Sequence, residues 1–215
     1  MRLTIVYDNE VYREGVNLEA SWGFSCLIET KKDVILFDTG ADGETLLHNM
    51  SLLNIDPKKI NMVVISHEHW DHNGGLKTLA HSVDKATLYR LSKKRPRGNM
   101  EVLTVETPQK ISEGVYTTGK LTGFVNEQSL VLKGEKGWYI LAGCSHPGVK
   151  KIMDAATQYG RVVGIIGGLH GFSKLDILED LDFLCPCHCT RYKKEIRNRY
   201  PEKYSECGVG KVIEI

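Results

Sequence analysis

One short segment limits what this chain can be more than any other, the run ISHEHWDHNGG at residues 65–75. It directly follows apolar residues 62–65, so we expect it to lie where a core strand passes into a loop. Neutral histidine nitrogens and aspartate oxygens are ligands that suit Zn²⁺ and similar divalent ions. Four such side chains fall within six residues, at His67, His69, Asp71 and His72. The segment therefore predicts a metal-binding loop.

The spacing of these four side chains favours two ions over one. Alternate residues of an extended chain project to the same side, so His67 and His69 can converge on one ion. The chain then turns and presents Asp71 and His72 to a second ion. A helical H-E-x-x-H protease motif is excluded, because the fourth residue after His67 is Asp71 and not histidine.

The rest of the chain alternates between strand-like and helix-like patterns. Short apolar runs typical of core strands occupy residues 3–7, 34–37, 62–65, 138–142, 162–166 and 212–215. Helical spacing relates three sets of residues. These are Thr45, Leu46, Met50 and Leu53; Val149, Ile152, Met153 and Ala156; and Leu175, Leu178, Leu181 and Leu184. Gly74 and Gly75 are expected to open a further helix through residues 76–79. The pattern predicts an α/β fold.

The composition of the chain limits the class of protein to which it can belong. The 28 basic and 27 acidic residues nearly balance, so no global charge favours nucleic acid or a membrane surface. Six cysteines are too few for a disulfide scaffold, and no apolar run reaches membrane-spanning length. We expect one domain, residues 1–215, located in the cytoplasm; the oligomeric state is not predicted.

The metal-binding segment resembles the metallo-β-lactamase superfamily, whose H-x-H-x-D-H motif follows a core strand. Within it, the chain is most similar to the branch that includes the archaeal dihydropterin-ribofuranosylaminobenzene phosphate synthases. The matching segments are LFDTG at residues 36–40, residues 66–76, GCSHPG at 143–148, GGLH at 167–170 and HCT at 188–190.

This resemblance implies a four-layer αββα sandwich with a site for two divalent metal ions. Position by position, His67 and His69 would hold the first ion with His146. Asp71 and His72 would hold the second with His188. Zn²⁺ is the metal that we expect, with Mn²⁺, Fe²⁺ or Mg²⁺ as alternatives.

Other positions near the predicted site have open roles. Cys144 stands where the superfamily usually has a bridging aspartate, so its thiolate is a candidate ligand and its small side chain a candidate lining group. His170 is a candidate ligand, proton carrier or substrate contact. Asp38 and Ser66 are candidates for hydrogen bonds that fix the tautomers of the histidine ligands.

The segment CPCHC at residues 185–189 raises the alternative of a separate structural Zn or Fe–S site, completed by Cys207. Its alternating cysteines do not match the paired C-x₂-C spacing of zinc knuckles. We therefore interpret it as a strand end that delivers His188. The family pattern continues with glycine after Cys-Thr, whereas this chain has Arg191.

A basic cluster at Lys93, Lys94, Arg95 and Arg97 is either a phosphate-binding loop or an ordinary solvated surface.

The predicted function is metal-dependent hydrolysis of a small phosphorylated or ester-like molecule, in which Asp71 and His170 take part in catalysis. One alternative is a transferase that condenses a dihydropterin diphosphate with an aromatic amine. A second is a metal-bearing sensor without turnover, and a redox role would require iron.

Overall fold

The computed structural model describes residues 1–12, 15, 17–94 and 98–215. The chain forms two compact units, one of Met1–Glu106 with Gly208–Glu214 and one of Thr107–Cys207 with Ile215. The single domain expected from the sequence stays a prediction. No helix in the described part of the chain is long and apolar enough to cross a lipid bilayer.

The first unit is built on a seven-stranded sheet with the spatial order β13-β1-β2-β3-β4-β5-β6. Its strands are β1 (Arg2–Tyr7), β2 (Ser25–Glu29), β3 (Val34–Phe37), β4 (Met62–Val64), β5 (Ala86–Arg90), β6 (Met100–Thr104) and β13 (Val212–Glu214). Strands β3 to β6 pair in parallel. The carboxyl ends of β3 and β4 therefore lie side by side, and these ends lead into Asp38 and Ser66.

The described residues of the first unit form the helices α1 (Gly43–Leu52), α2 (Trp70–Asn73) and α3 (Leu76–Ser82), with a 3₁₀ turn at Pro57–Lys59. Helix α1 begins at Asp42, whose carboxylate accepts hydrogen bonds from the backbone N–H groups of Glu44 and Thr45. Leu46 and Met50 are fully buried on its inner face. The predicted opening of α3 after the two glycines is confirmed.

Gly74 is required by a close approach between two loops of the first unit. A Cβ at this position would lie 1.9 Å from the carbonyl oxygen of Ala41. The Gly74 N–H donates to Gly40 O at 3.0 Å. Only glycine allows the loop after β4 to pack so closely against the turn that follows β3.

The second unit contains a six-stranded sheet with the order β12-β11-β10-β9-β8-β7. Its strands are β7 (Gln109–Ser112), β8 (Val115–Thr117), β9 (Leu130–Lys133), β10 (Trp138–Ala142), β11 (Val162–Gly168) and β12 (Phe183–Cys187). Its helices are α4 (Val149–Ala156) and α5 (Lys193–Arg199), with 3₁₀ turns at Thr157–Tyr159 and Leu175–Leu178. Strands β10, β11 and β12 are parallel. Their carboxyl ends lead into the segments that carry His146, His170 and His188.

The predicted helix through Leu175, Leu178, Leu181 and Leu184 is wrong. Only a 3₁₀ turn, Leu175–Leu178, forms there, and Leu184 belongs to β12. Leu178, Leu181 and Leu184 are all buried in the core of the second unit. The spacing therefore reflected burial, and the parallel pairing of β12 with β11 overrides the helical pattern.

Candidate metal centre

The histidines of the predicted metal-binding loop lie together in the first unit. The rings of His67 and His69 have centroids 4.7 Å apart, and those of His67 and His72 have centroids 4.2 Å apart. His67 and His72 are fully buried, whereas His69 is exposed. The loop after β4 thus gathers three imidazoles at one end of the sheet, as the sequence predicted.

Asp38, the first residue after β3, fixes two of these histidines. It is fully buried and its backbone φ is +59°. Its Oδ1 accepts the backbone N–H of Ser66 at 2.7 Å, and its Oδ2 accepts the hydroxyl of Ser66 at 2.7 Å. The same Oδ2 lies 2.7 Å from Nδ1 of His72. A carboxylate only accepts, so His72 donates from Nδ1.

The tautomer of His67 follows from the same network. Ser66 Oγ lies 2.9 Å from Nδ1 of His67. The single hydroxyl proton of Ser66 is already donated to Asp38, so Nδ1 of His67 must donate to the serine oxygen. His67 and His72 therefore both carry their proton on Nδ1, which leaves each Nε2 as a lone-pair donor for a metal ion.

A prediction concerns this network. Asp38→Asn is expected to weaken metal binding about 10- to 100-fold, because the asparagine NH₂ group would face donors on Ser66 or His72. Asparagine tolerates a positive φ, so the fold should persist. Competition with a chromophoric chelator measures the metal affinity, and Asp84→Asn, at an exposed position, is the matched control. Equal affinity in both variants would count against this role for Asp38.

Asp71 is held by an aromatic side chain that the sequence analysis missed. The indole Nε1–H of Trp22 donates to Asp71 Oδ2 at 2.9 Å. The same oxygen lies 4.0 Å from Nε2 of His72. Trp22 precedes β2 and is separated from Asp71 by 49 residues, so no local pattern marks it.

Tyr7 packs beneath the turn after β3. A Cβ on Gly40, whose φ is +65°, would lie 2.4 Å from the Tyr7 ring. Burial raises the pKa of Tyr7, because the charged phenolate would lose the stabilisation that water provides. The phenol therefore stays neutral at ordinary pH and brings no charge to this part of the first unit.

In the second unit, a buried carboxylate organises the segment that carries Cys144 and His146. Glu127 is fully buried. Its Oε1 accepts the backbone N–H groups of Gly143, Cys144 and Ser145 at 3.1, 3.0 and 3.0 Å, and its Oε2 accepts that of His146 at 2.9 Å. Four consecutive N–H groups thus converge on one side chain. The sequence analysis did not single out Glu127.

The histidines of the second unit follow three adjacent strand ends. The rings of His146 and His170 have centroids 5.1 Å apart. The Sγ of Cys144 lies within 4.8 Å of a ring nitrogen of His146 and of a ring nitrogen of His188. His170 and His188 have φ angles of +46° and +48°. Such strained backbone is common at functional sites.

Comparison with known proteins decides the family. A sequence model of the metallo-beta-lactamase superfamily matches residues 23–150, more than half of the chain. The chain belongs to this superfamily. The family resemblance predicted from the sequence is thereby confirmed.

Two proteins that are similar to this chain agree with the assignment to the superfamily. The 7,8-dihydropterin-6-methyl-4-(beta-D-ribofuranosyl)-aminobenzene-5'-phosphate synthase of Methanocaldococcus jannaschii is 28% identical, and the match covers 89% of both chains. The solved structure of Tm1679, a metal-dependent hydrolase of the beta-lactamase superfamily, is 24% identical with a TM-score of 0.81. That match covers 100% of this chain and 99% of Tm1679.

A diphosphatase of the PhnP family also has this fold, with a TM-score of 0.62 and 14% identity, over 100% of this chain and 97% of its own. The predicted α/β fold class of the metallo-β-lactamase type is therefore confirmed. Members of the superfamily generally bind divalent metal ions.

The donors of the first unit fit such ions. Imidazole nitrogens and a carboxylate are the ligands that Zn²⁺ prefers. The hydrogen bonds of Asp38 and Ser66 hold His67 and His72 in the tautomer that metal binding requires. The chemistry of this donor set matches the superfamily's general property.

Two cysteines of the segment CPCHC, residues 185–189, contact backbone carbonyl groups. Cys185 Sγ donates to Glu206 O at 3.9 Å, and Cys189 Sγ donates to Cys144 O at 4.0 Å. Cys187 and Cys207 are buried, with their sulfur atoms within 4.8 Å of each other. The interpretation of this segment as a strand end is confirmed, since β12 ends at Cys187 directly before His188. The less favoured alternative, a separate metal site at these cysteines, is not tested.

Two of the four residues of the predicted basic cluster lie in the described part of the chain. Lys93 and Lys94 are exposed, and Lys94 O accepts a hydrogen bond from Nη1 of Arg90 at 3.0 Å. Arg95 and Arg97 lie outside the described residues. The two interpretations of the cluster, a phosphate-binding loop and a solvated surface, therefore both stay predictions.

Proposed function

We propose that this superfamily member is a metal-dependent enzyme that hydrolyses a small phosphorylated or ester-like molecule at a centre of two divalent ions, most suitably Zn²⁺. The observation that carries this proposal is the Asp38–Ser66 network, which leaves Nε2 of both His67 and His72 as lone-pair donors. A protein that used these histidines only for packing would not need both tautomers fixed by a buried carboxylate.

The proposed ligand set is the one that the family resemblance implies. His67, His69 and His146 bind the first ion, and Asp71, His72 and His188 bind the second. Support comes from the strand ends, since in each unit the candidate ligands follow the carboxyl ends of parallel strands, where α/β proteins carry their sites. Cys144 joins this set as a ligand or lines it, because its sulfur lies close to ring nitrogens of His146 and His188.

Two such ions, when bound, lower the pKa of water to about 7 and stabilise negative charge on an attacked or leaving oxygen. The side chains of this protein then orient the attacking water and carry protons. Asp71, held by Trp22, orients the attacking water through its carboxylate. His170 carries a proton, and its ring lies 5.1 Å from that of His146.

One alternative function is supported by a specific observation. The M. jannaschii relative that aligns over 89% of both chains is a synthase in pterin chemistry. A transferase that condenses a dihydropterin diphosphate with an aromatic amine would use the same ions to stabilise the departing pyrophosphate. The second alternative, a metal-bearing sensor without turnover, has the same ligands and differs only in lacking a reaction.

One experiment separates these functions. Purified protein is loaded with Zn²⁺, Mn²⁺ or Fe²⁺, and its metal content is measured alongside turnover of phosphodiester, phosphomonoester and lactone substrates. A parallel reaction offers a dihydropterin diphosphate with an aromatic amine. Metal-dependent hydrolysis supports the main proposal and amine condensation supports the transferase. Full metal loading without any turnover would contradict both enzymes and favour the sensor.

A second prediction tests how Asp71 is positioned. Trp22→Phe keeps an aromatic ring but removes the N–H that donates to Asp71, so affinity for the second ion should fall about tenfold. This affinity is measured by calorimetry while metal ions are titrated into the metal-free protein. Trp70→Phe is the matched control, because Trp70 adjoins Asp71 in sequence and is 64% exposed. An equal loss in both variants would contradict a specific role for the Trp22 hydrogen bond.

A further inference from the structure

We propose that a cavity on the first unit binds a phosphorylated small molecule that carries a flat aromatic ring. The cavity is widely open to solvent and has a volume of about 390 Å³, enough to hold part of a small molecule. The lining residues that matter are Glu68, Trp70, Lys77, Arg90 and Lys94. This binding site goes beyond the proposed function, because nothing in it depends on turnover.

A partly buried ion pair, Arg90 with Glu68, lines the cavity. The side chain of Arg90 is only 5% exposed. Its Nε donates to Glu68 Oε1 at 3.1 Å, and its Nη2 donates to Glu68 Oε2. Its Nη1 donates to the backbone carbonyl of Lys94 at 3.0 Å. This bidentate pair neutralises Glu68 and ties the Lys94 backbone to the metal-binding loop.

The remaining charges on the cavity are positive. Lys77 on α3 and Lys94 after β5 are exposed, and both line the cavity. Because Glu68 is neutralised by Arg90, these two ammonium groups determine the net charge. Two cations beside this neutral ion pair favour a doubly charged phosphate monoester over a neutral ligand.

Trp70 lines the cavity with an aromatic side chain. It is 64% exposed, although tryptophan is a residue type that folding usually buries in large part. An exposed indole ring beside two cations offers a face on which a flat ring can stack, while the phosphate contacts the lysines. The cavity therefore fits a ring and a phosphate in one molecule.

The cavity is separable from the candidate metal ligands. Glu68 and Trp70 alternate in sequence with His67, His69 and Asp71, yet none of these three appears among the described residues that line the cavity. Binding in the cavity should therefore survive the loss of a metal ligand. This property distinguishes failure of the inference from failure of the proposed enzyme.

The test uses adenosine monophosphate (AMP) as the probe, with adenosine lacking only the phosphate. Isothermal titration of the metal-loaded protein is expected to give saturable AMP binding, with adenosine about tenfold weaker. The double variant Lys77→Ala/Lys94→Ala should bind AMP about tenfold more weakly. Trp70→Leu should also lose about tenfold through the absent stacking surface.

Lys58→Ala/Lys59→Ala removes two exposed lysines of the same unit and should bind AMP like the wild type. His67→Ala should retain AMP binding as well. Three outcomes would overturn the inference. They are no saturable binding at low-millimolar AMP, unchanged affinity in the lysine and Trp70 variants, and loss of AMP binding in His67→Ala, which would assign the phosphate to the metal centre.

Discussion

Replacing His67 with alanine is expected to reduce metal-dependent turnover at least about a thousandfold in kcat/KM. His67 is fully buried in the first unit, and its Nδ1 lies 2.9 Å from Ser66 Oγ. The lone pair on its Nε2 is the proposed metal ligand. Alanine removes the imidazole that the proposed centre uses as a ligand. The assay compares kcat/KM for the best substrate of the panel, with metal content measured on the same samples.

His81→Ala is the matched control for this prediction. His81 is exposed at the end of α3, where its Nδ1 lies 2.8 Å from Lys77 O. Its removal should leave turnover and metal content within about twofold of the wild type, as is usual for surface substitutions. If His67→Ala retained metal and turnover as well as His81→Ala does, the loop after β4 could not be the metal-binding loop.

The largest effect on stability is expected at Glu127. Alanine there would leave four consecutive backbone N–H groups buried without their acceptor, at residues 143–146. Each such group costs about 1–3 kcal/mol, so we expect the free energy of unfolding to fall by about 3–5 kcal/mol after partial relaxation. Chemical denaturation of the metal-free protein measures this change without a contribution from bound ions.

Two variants sharpen the prediction at Glu127. Glu135→Ala removes an exposed glutamate of the same unit and should change stability by less than about 0.5 kcal/mol. Glu127→Gln keeps one accepting oxygen, so its loss should be smaller than that of alanine. Stability of Glu127→Ala within the range of the exposed control would show that the segment does not need this carboxylate.

The sequence predicted those features that depend on neighbouring residues. The motif at residues 65–75 and the six apolar runs are local patterns, and each of the six runs is a strand in the structure. The leucine spacing after residue 174 failed because burial in a sheet-based core and helical packing can place apolar residues at the same intervals. Only the pairing of β12 with β11 separates the two.

The residues that support the candidate ligands were harder to predict. Trp22 reaches Asp71 across 49 residues, and Glu127 contacts a segment 16 to 19 residues later. Neither stands at a recognisable spacing from its partner, because the contact is created by the fold of each unit. Asp38 was singled out through the family resemblance, and its bonds to Ser66 and His72 could not be derived from spacing alone.

The central claim is that six side chains hold two ions. Crystals grown with Zn²⁺ and measured on both sides of the zinc absorption edge locate each ion directly by its anomalous signal. We expect two peaks per chain, one bonded to His67, His69 and His146 and the other to Asp71, His72 and His188, at about 2.0–2.2 Å. A single fully occupied ion, or two ions without His146 and His188 among their ligands, would contradict it.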